Sequence, residues 1–225
     1  MLKNISFFTL PLSIVLFAQL IYANSKDEIS VTELVQRSVY TFQHLKLNQD
    51  LKNFETYFRN SRAILIFPEV YEGSIFFGAK GGNGLLMIKN DNGWSGPFFY
   101  TLGGVSVGLQ FGIKTGKVIF TIMTERGLKS LLKKKIKIGV DLDAAVANKG
   151  IGYSAESTLG LADIYSFSEN KGLFLGGSFD GSFLKKRDDL NFSFHGKKFS
   201  IDEILSNKII NFKKNKLIEI LEKNK

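Results

Sequence analysis

The sequence contains no cysteine. This absence excludes disulfide bonds, zinc sites built on thiolates, thiol nucleophiles and the lipidated cysteine of a lipoprotein. Histidine is nearly absent as well, because His44 and His195 are the only two in the chain. Neither has a metal-ligand partner four residues away, so both are interpreted as structural or surface residues. We therefore expect no metal ion and no other cofactor.

Acidic residues are scarce relative to basic ones. The 225-residue chain has 30 Lys and Arg against 21 Asp and Glu, which gives a formal net charge of +9. Such an excess favours an anionic partner, such as nucleic acid, a membrane surface or an acidic polymer. The alternative is a Lys-rich surface without a dedicated partner. Hydrophobic residues make up 44% of the chain, enough to bury a sizeable core.

Motifs for nucleotide binding and catalysis are incomplete. The segment GSIFFGAK (73–80) has the first spacing of a P-loop, but Ala79 stands where the lysine is needed and no helix is predicted to follow. GIGYSA (150–155) fits a dinucleotide fingerprint without the strand before it and the helix after it. Asp141 and Asp143 share one face of a predicted strand, a pattern more typical of a solvated face than of acid/base chemistry. We predict no catalytic residues, and the protein is expected not to be an enzyme.

The first 23 residues have the pattern of a secretory signal peptide. Lys3 supplies a positive start, an apolar run follows over Ile5–Tyr22, and Ala23 precedes a plausible cleavage site. An uncleaved membrane anchor is the alternative, although the run is near the short limit for a span. We expect export to the periplasm or to a membrane surface, and a single domain over residues 24–225.

Helical periodicity marks both ends of this domain. Ser30 and Glu33 have the spacing of a capping box, and the apolar residues after them predict a helix over about 31–46. Asp50 is placed to cap a short second helix. A second capping box, Ser200 and Glu203, predicts a C-terminal helix that continues past residue 217 with a Lys-rich outer face.

The region between the helices is predicted to consist mostly of strands. The apolar run RAILIFP, ended by Pro68, suits a buried strand, and alternating segments follow until LNFSFHG (190–196). One segment, TERGLKSLLKK (124–134), predicts a short helix. Glycines at strand ends and inside strands, such as the DNG turn that ends at Gly93, indicate hairpins and a bent sheet. The expected fold is α+β, a strongly curved, mostly antiparallel or barrel-like sheet of about eight strands with N-terminal helices and a C-terminal helix.

Six motifs occur in order over about residues 31–200: AILIFP, FGAKGGNG, DNGWSGP, GLQFG, IGVD and YSFSENKGLFLGGSFDGS. Together they resemble the SYLF family of lipid-binding domains. The matching positions that we expect to be structural are Gly78, Gly81, Gly82, Gly84, Trp94, Ser95, Pro97, Gln110, Gly172, Phe174, Gly176 and Gly181. Two departures stand out: the family's Gly-Pro-x-Gly-Arg is KGIGY here (149–153), and its Tyr-Tyr-Gly is FHG (194–196). If the lost arginine of the family holds a headgroup, another cation must replace it.

The resemblance implies a phospholipid-binding module, whose bacterial members are secreted, stand-alone domains. The residues themselves suggest how such binding could work. The segment ERGLKSLLKKKIKIG interleaves cations with leucines, and such a basic amphipathic turn can lie on an anionic surface. The lipid-binding residues predicted from it are Arg126, Lys129, Lys133, Lys134, Lys135 and Lys137. Smaller basic clusters lie at 185–187 and 213–216.

The expected partner is therefore an anionic phospholipid or a membrane surface. One alternative is an interaction protein of the periplasm that docks on another envelope protein through its sheet. Another is a carrier whose bent, Phe-lined sheet encloses an acyl chain in an apolar cavity. Nucleic acid is not expected as a partner, because the chain is predicted to be exported and its aromatic residues to form the core.

Overall fold

The computed structural model describes residues 12–51, 53–74, 77–91, 93–107, 112–146, 162–168, 182–205 and 215–224. The helices within these ranges are α1 (Leu12–Leu47), α2 (Phe54–Asn60), α3 (Glu125–Leu131), α4 (Asp188–His195), α5 (Ile201–Leu205) and α6 (Lys216–Lys223). The strands are β1 (Ala63–Ser74), β2 (Phe77–Asn90), β3 (Gly93–Val107), β4 (Gly112–Ile122), β5 (Lys135–Lys137), β6 (Ala144–Val146), β7 (Ile164–Ser168) and β8 (Phe183–Lys186).

The eight strands form one curled sheet in the order β5-β8-β3-β2-β1-β4-β7-β6. Every neighbouring pair is antiparallel except β6 and β7, which are parallel. Helices pack on this sheet from both ends of the chain. The predicted α+β fold with a curved, mostly antiparallel sheet is confirmed.

Both faces of the sheet are buried over its centre. Neighbouring residues of a strand point to opposite faces, so Ile64 joins one hydrophobic cluster and Leu65 the other. The inner face, to which Leu65 belongs, packs against α3 and α5. The outer face, to which Ile64 belongs, packs against α1, α2, α4 and α6. The continuous apolar run of β1 is explained by this burial on two sides.

The first helix is longer than its predicted part. It spans Leu12–Leu47, so Ser30 lies inside the helix and the predicted N-terminal capping box is wrong. The carboxylate of Glu33 instead binds Arg37, one turn later, with an N–O distance of 2.7 Å. In the described part of the chain, no helix combines the length and the apolar character that crossing a bilayer requires.

The predicted end of β1 at Pro68 is also wrong. The strand continues to Ser74, and its register against β2 and β4 shifts at the proline, between Ile66 and Tyr71 on one side and between Phe67 and Val70 on the other. A bulge of this kind removes the need for the N–H that proline lacks. The chain therefore gains a long, bent central strand instead of a short one.

Strand boundaries after β1 differ from the prediction in a similar way. The segments GSIFFGAKGG (73–82) and NGLLMIKN (83–90) were predicted as separate strands, but Phe77–Asn90 is the single strand β2, and residues 73 and 74 end β1. The segment predicted as one strand over 98–113 is divided between β3 and β4. The DNG turn connects β2 to β3, with Asn90 paired to Gly93. The short helix predicted over 124–134 is confirmed as α3, and Thr124 caps it by accepting a hydrogen bond from Gly127 N.

The segment LNFSFHG is a helix, not the predicted last strand. Leu190 and Phe194, four residues apart, are both buried against the outer face of the sheet in α4. Asp188 and Asp189 lie in the first turn, where negative charge favours a helix. The alternation in this segment was misleading because a helical face of two apolar residues is too short to show its period.

The C-terminal helix is two helices in the structure. The capping box is confirmed, since Ser200 N donates to Glu203 Oε2 at 2.8 Å and Glu203 N donates to Ser200 Oγ at 3.1 Å. However, the described part of α5 is Ile201–Leu205, and α6 begins with its own cap, Asn215, so the predicted helix does not run unbroken to its end. At the other end of the chain Asp50 lies in a 3-10 turn and Asn53 precedes α2, so Asp50 does not cap that helix.

Candidate functional site

The two cations on α3 are already paired with carboxylates. One terminal nitrogen of Arg126 lies 2.7 Å from Asp143 Oδ2 and 2.8 Å from Asp163 Oδ2. The hydrogen bond to Asp143, followed by the negative charge of Asp163, holds the pKa of Arg126 above its usual value. Lys129 lies 3.3 Å from Glu125 on the same helix. Of the predicted lipid-binding residues, Arg126 and Lys129 are the two whose positive charges are compensated by neighbouring carboxylates.

The leucines of the same segment do not face solvent. Leu128, Leu131 and Leu132 are buried in the cluster on the inner face of the sheet. Tyr100 adds a hydrogen bond to this packing, since its hydroxyl donates to Leu131 O at 2.9 Å. The helical part of the predicted amphipathic turn therefore directs its apolar side into the protein, not toward a membrane.

The remaining cations of the segment lie at one edge of the sheet. β5 pairs with β8 so that Lys135 stands directly opposite Lys185. The turn before β5 also contacts the end of β8, because Lys186 N donates to Lys134 O at 3.1 Å. The structure thus brings two basic clusters, about fifty residues apart in the sequence, into one surface. We call this surface the basic edge; it consists of Lys133, Lys134, Lys135, Lys137, Lys185 and Lys186.

The basic edge is exposed and electrostatically unfavourable by itself. All of its lysines are exposed except Lys186, which is half-buried. Like charges directly opposite each other on paired strands destabilise a sheet, and Lys135 and Lys185 are such a pair. Over the described ranges neither forms an ion pair; Lys135 places its ammonium 4.6 Å from the ring centroid of Phe183. An anion bound between the two strands would convert this repulsion into attraction.

Arg187 belongs to the same basic stretch in the sequence but not to the basic edge. Its guanidinium binds Asp189 at 2.6 Å, and this contact holds the pKa of Asp189 below its usual range. The same guanidinium also contacts Asn83 and Thr101 on the outer face of the sheet.

A groove of about 470 Å³ lies between α1 and the outer face of the sheet. Its lining includes charged and polar side chains, among them Glu33, Arg37, Glu69, Tyr71 and Asn83. Arg37 binds Glu69 at 2.7 Å, and the hydroxyl of Tyr71 donates to the same carboxylate at 2.9 Å. These polar walls are unlike the apolar cavity that the acyl-carrier alternative requires.

The glycine motif on β2 serves close packing. A Cβ at position 82 would lie 2.2 Å from Glu69 O, and one at position 84 would lie 2.4 Å from Ile66 O. Both contacts are with the bulged part of β1. Gly81 has more room, since its nearest contact would be Leu102 O at 3.4 Å. Gly78 pairs with residues of β1 and β3 at the far end of β2.

The other motif residues divide into buried ones and ones outside the described residues. Trp94 is 1% exposed and stacks on Phe58, with ring centroids 5.6 Å apart. Ser95 accepts a hydrogen bond from Asn90, and Pro97 O lies 2.8 Å from His195 Nε2. The motif positions outside the described residues are Gln110, Gly172, Phe174, Gly176 and Gly181.

The groups considered for chemistry have structural partners. Asp143 binds Arg126, and Asp141 accepts a hydrogen bond from Lys137 N at 2.7 Å. His44 stacks on Tyr40. Within the ranges that the structure covers, no group of three or more His, Asp or Glu could hold a metal ion. Sequence reasoning missed Asn191, Phe183 and Val105, whose positions depend on strand register and left no motif.

Sequence comparisons relate this chain to one protein family and to several known proteins. A sequence model of the family described as "Ysc84: Las17-binding protein actin regulator" matches residues 103–224. An SH3 domain-containing protein of Schizosaccharomyces pombe is 29% identical over 157 residues, which cover 67% of this chain and 36% of that protein. LAS seventeen-binding protein 3 of Saccharomyces cerevisiae is 27% identical over 157 residues, covering 67% of this chain and 34% of that protein.

A human protein is similar over a shorter stretch. SH3 domain-containing YSC84-like protein 1 of Homo sapiens is 26% identical over 136 residues, which cover 58% of this chain and 39% of that protein. The matched region thus spans about a third of the length of these relatives.

Proposed function

The chain belongs to the Ysc84 family, which carries the SYLF domain, and from this premise we propose that it is a non-catalytic module that binds anionic phospholipid headgroups. We place it at the bacterial envelope, to which the apolar N-terminal segment would direct it. The single observation that carries the proposal is the basic edge, where β5 and β8 hold Lys135 opposite Lys185.

Electrostatics favours this edge as the binding surface. Each lysine near an anionic membrane contributes about 1 kcal/mol, and the attraction falls off within a Debye length of about 8 Å at physiological salt. Six lysines on one short edge are therefore enough for measurable binding. Because Arg126 and Lys129 are already paired with carboxylates, they add less than the unpaired lysines of β5 and β8.

The test compares two double variants with the same net charge. Lys135→Gln/Lys185→Gln removes the facing pair, whereas Lys216→Gln/Lys223→Gln removes two exposed lysines of α6. The end of α6 lies near Gly93, at the start of β3, where Glu222 approaches it. Binding is measured by co-sedimentation with phosphatidylcholine vesicles that contain or lack phosphatidylglycerol.

We expect wild type to bind only the anionic vesicles, and less at high salt. The first variant should bind more weakly by about 2 kcal/mol, roughly 30-fold in affinity, and the α6 variant should bind like wild type. Equal losses in both variants would mean that net charge, not the basic edge, governs binding. No sedimentation of wild type with any vesicle would overturn the proposal.

A protein partner is the second candidate function. The description of the matched family and the name of a yeast relative both refer to binding of another protein, Las17. A partner with an acidic segment would suit the basic edge as well as a lipid does. Failure of vesicle binding, with retention of an envelope protein that the Lys135→Gln/Lys185→Gln variant releases, would favour this candidate.

A further inference from the structure

We propose that the membrane lies against the uncovered half of the outer face of the sheet, and that Val105 and Val140 enter its interfacial layer beside the basic edge. This inference rests on the proposed function, because it specifies which surface the phospholipid bilayer contacts. It concerns a face of the sheet, whereas the sequence pointed to a helical turn.

Strand register shows that one continuous face is available. A single cross-strand row runs over six strands in the order Thr115, Tyr71, Gly81, Gly103, Phe183, Lys137. Thr115 and its neighbour Tyr71 are exposed at one end of the row, and Lys137 is exposed at the other. Gly81 and Gly103 lie between Tyr71 and Phe183, so the two central positions of the row carry no side chain.

The basic and the apolar side chains share this face. On β5 and β8, Ile136 and Leu184 are buried in the inner cluster, so Lys135, Lys137 and Lys185 point to the outer side. On β3, Phe99 belongs to the outer cluster, and Val105 has the same parity. The cations and Val105 therefore face the same layer of solvent.

Among the described residues, helices cover only one half of the outer face. They bury its residues near the start of β3, where Phe99 is fully enclosed. Toward the end of the same strand, Val105 is 76% exposed, and its partner Ala79 on β2 is exposed too. Within the described residues, Val105 therefore lacks the cover that helices give to the other half of the outer face.

The second valine lies at the same end of the sheet. Because β3 and β5 both pair antiparallel with β8, they run in the same direction. Val105 lies near the end of β3, and Val140 lies in the loop that follows β5. Val140 is also 76% exposed. Its loop is held by hydrogen bonds from Gly139 N to Leu142 O at 2.8 Å and from Asp141 N to Lys137 O at 2.9 Å. The loop would thus lose little conformational freedom on insertion.

A bilayer fits this combination better than a soluble anion does. Lysines at the headgroup level neutralise lipid phosphates while apolar side chains between them leave water. Tyrosine suits the interface because it combines an apolar ring with a polar hydroxyl; Tyr71 is 51% exposed, and its hydroxyl donates to Glu69. A free phosphate would satisfy the lysines alone and leave both valines exposed.

The absence of cysteine makes a direct test possible. Val105→Cys carries the only thiol in its variant and takes one environment-sensitive fluorophore; Leu47→Cys, at the end of α1 and 81% exposed, is the matched control. Both labelled proteins are mixed with phosphatidylglycerol vesicles and separately with inorganic phosphate. We expect a blue-shifted, brighter emission at position 105 with vesicles only, and no change at position 47.

A second measurement uses unlabelled protein at high salt, where the lysine contribution is screened. Val105→Ser and Val140→Ser should each weaken the residual vesicle binding by about threefold to tenfold, as expected for one partly inserted valine. Leu47→Ser should leave it unchanged. If vesicles sediment wild type but the label at position 105 stays in a water-like environment, this inference is wrong while the proposed function stands. If wild type binds no vesicles, the proposed function itself fails.

Discussion

The side-chain amide of Asn191 pairs with the backbone of Phe99 as a neighbouring strand would. Phe99 N donates to Asn191 Oδ1 at 2.8 Å, and Asn191 Nδ2 donates to Phe99 O at 3.1 Å. β8 accompanies β3 only from Tyr100 to Gly103, so the ladder ends just before Phe99. A residue of α4 thus closes an edge that the strands leave open.

We expect Asn191→Ala to lower the free energy of unfolding by about 1–3 kcal/mol, because it leaves the buried Phe99 N–H without an acceptor, whereas Phe99 O keeps its hydrogen bond from Arg187 N. Ser193→Ala is the control on the same helix, since the buried Ser193 hydroxyl has no hydrogen-bond partner among the described residues. Denaturant unfolding measures both, and hydrogen exchange of the Phe99 amide should accelerate only in the first. An Asn191→Ala protein as stable as wild type would show that the amide is dispensable.

The glycines of β2 allow a graded test of close approach to β1. Gly82→Ala and Gly84→Ala each place a Cβ within 2.4 Å of a backbone oxygen, so the strands must separate. We expect losses of about 1–3 kcal/mol in each. Gly81→Ala, whose nearest contact would be 3.4 Å, should change stability by less than about 1 kcal/mol. Thermal unfolding of the three variants ranks them, and an equal effect of all three would contradict this explanation.

Trp94 is expected to be structural. Its ring is enclosed and stacks on Phe58 with planes 7° apart, so Trp94→Ala should cost about 3 kcal/mol or more. Phe192→Ala, at an exposed position of α4, should cost far less. Far-ultraviolet circular dichroism follows unfolding in both. Unchanged stability combined with lost vesicle binding would instead make Trp94 a membrane-inserting residue.

Arg126 should matter for stability more than for lipid binding. Its removal leaves the fully buried Asp163 without its charged partner, and we expect Arg126→Met to cost about 3 kcal/mol. Lys129→Met, on the same helix, breaks an exposed pair with Glu125 and should cost less than about 1 kcal/mol. Urea unfolding compares the two. If Arg126→Met folds as stably as wild type but loses vesicle binding, the ion pairs with Asp143 and Asp163 are not its main role.

The capping box of α5 should titrate at low pH. The Ser200 backbone N–H, followed by the Ser200 side chain, holds the pKa of Glu203 below its usual value. A lowered folded-state pKa stabilises the helix end above the usual glutamate range, and this stabilisation is lost as pH falls through the lowered value. In an NMR titration, Ser200→Ala should raise the pKa of Glu203 only partway, because the backbone N–H remains. An unchanged value would show that the hydroxyl does not contribute.

The fold class was accessible from the sequence because apolar periodicity and glycine spacing report local geometry directly. The boundaries were less accessible where tertiary contacts decide. Pro68 reads as a strand end in isolation, yet β1 passes through it because both of its neighbours shift register there. Residues 190–196 alternate like a strand, yet they form a helix whose Asn191 is needed at Phe99.

The candidate site shows the same limit. Lysines 133–137 are conspicuous in the sequence, but nothing local indicates that Lys185 stands opposite Lys135. That pairing follows from the order of strands in the sheet. The ion pair between Arg126 and Asp163 could not be predicted from the sequence either, since Asp163 is 37 positions away in the chain and fully buried.

The size of β5 has a thermodynamic consequence. This edge strand has three residues, and within the described sheet it pairs only with β8, so it is a segment expected to open locally well before the sheet unfolds. Opening separates Lys135 from Lys185 and relieves their repulsion, which lowers the cost of opening further. An anion that binds the closed edge shifts this local equilibrium by mass action, in proportion to its concentration relative to its dissociation constant. Hydrogen exchange of the amides of residues 135–137 would therefore report how much of the basic edge carries a bound anion, because the exchange slows as more anion binds.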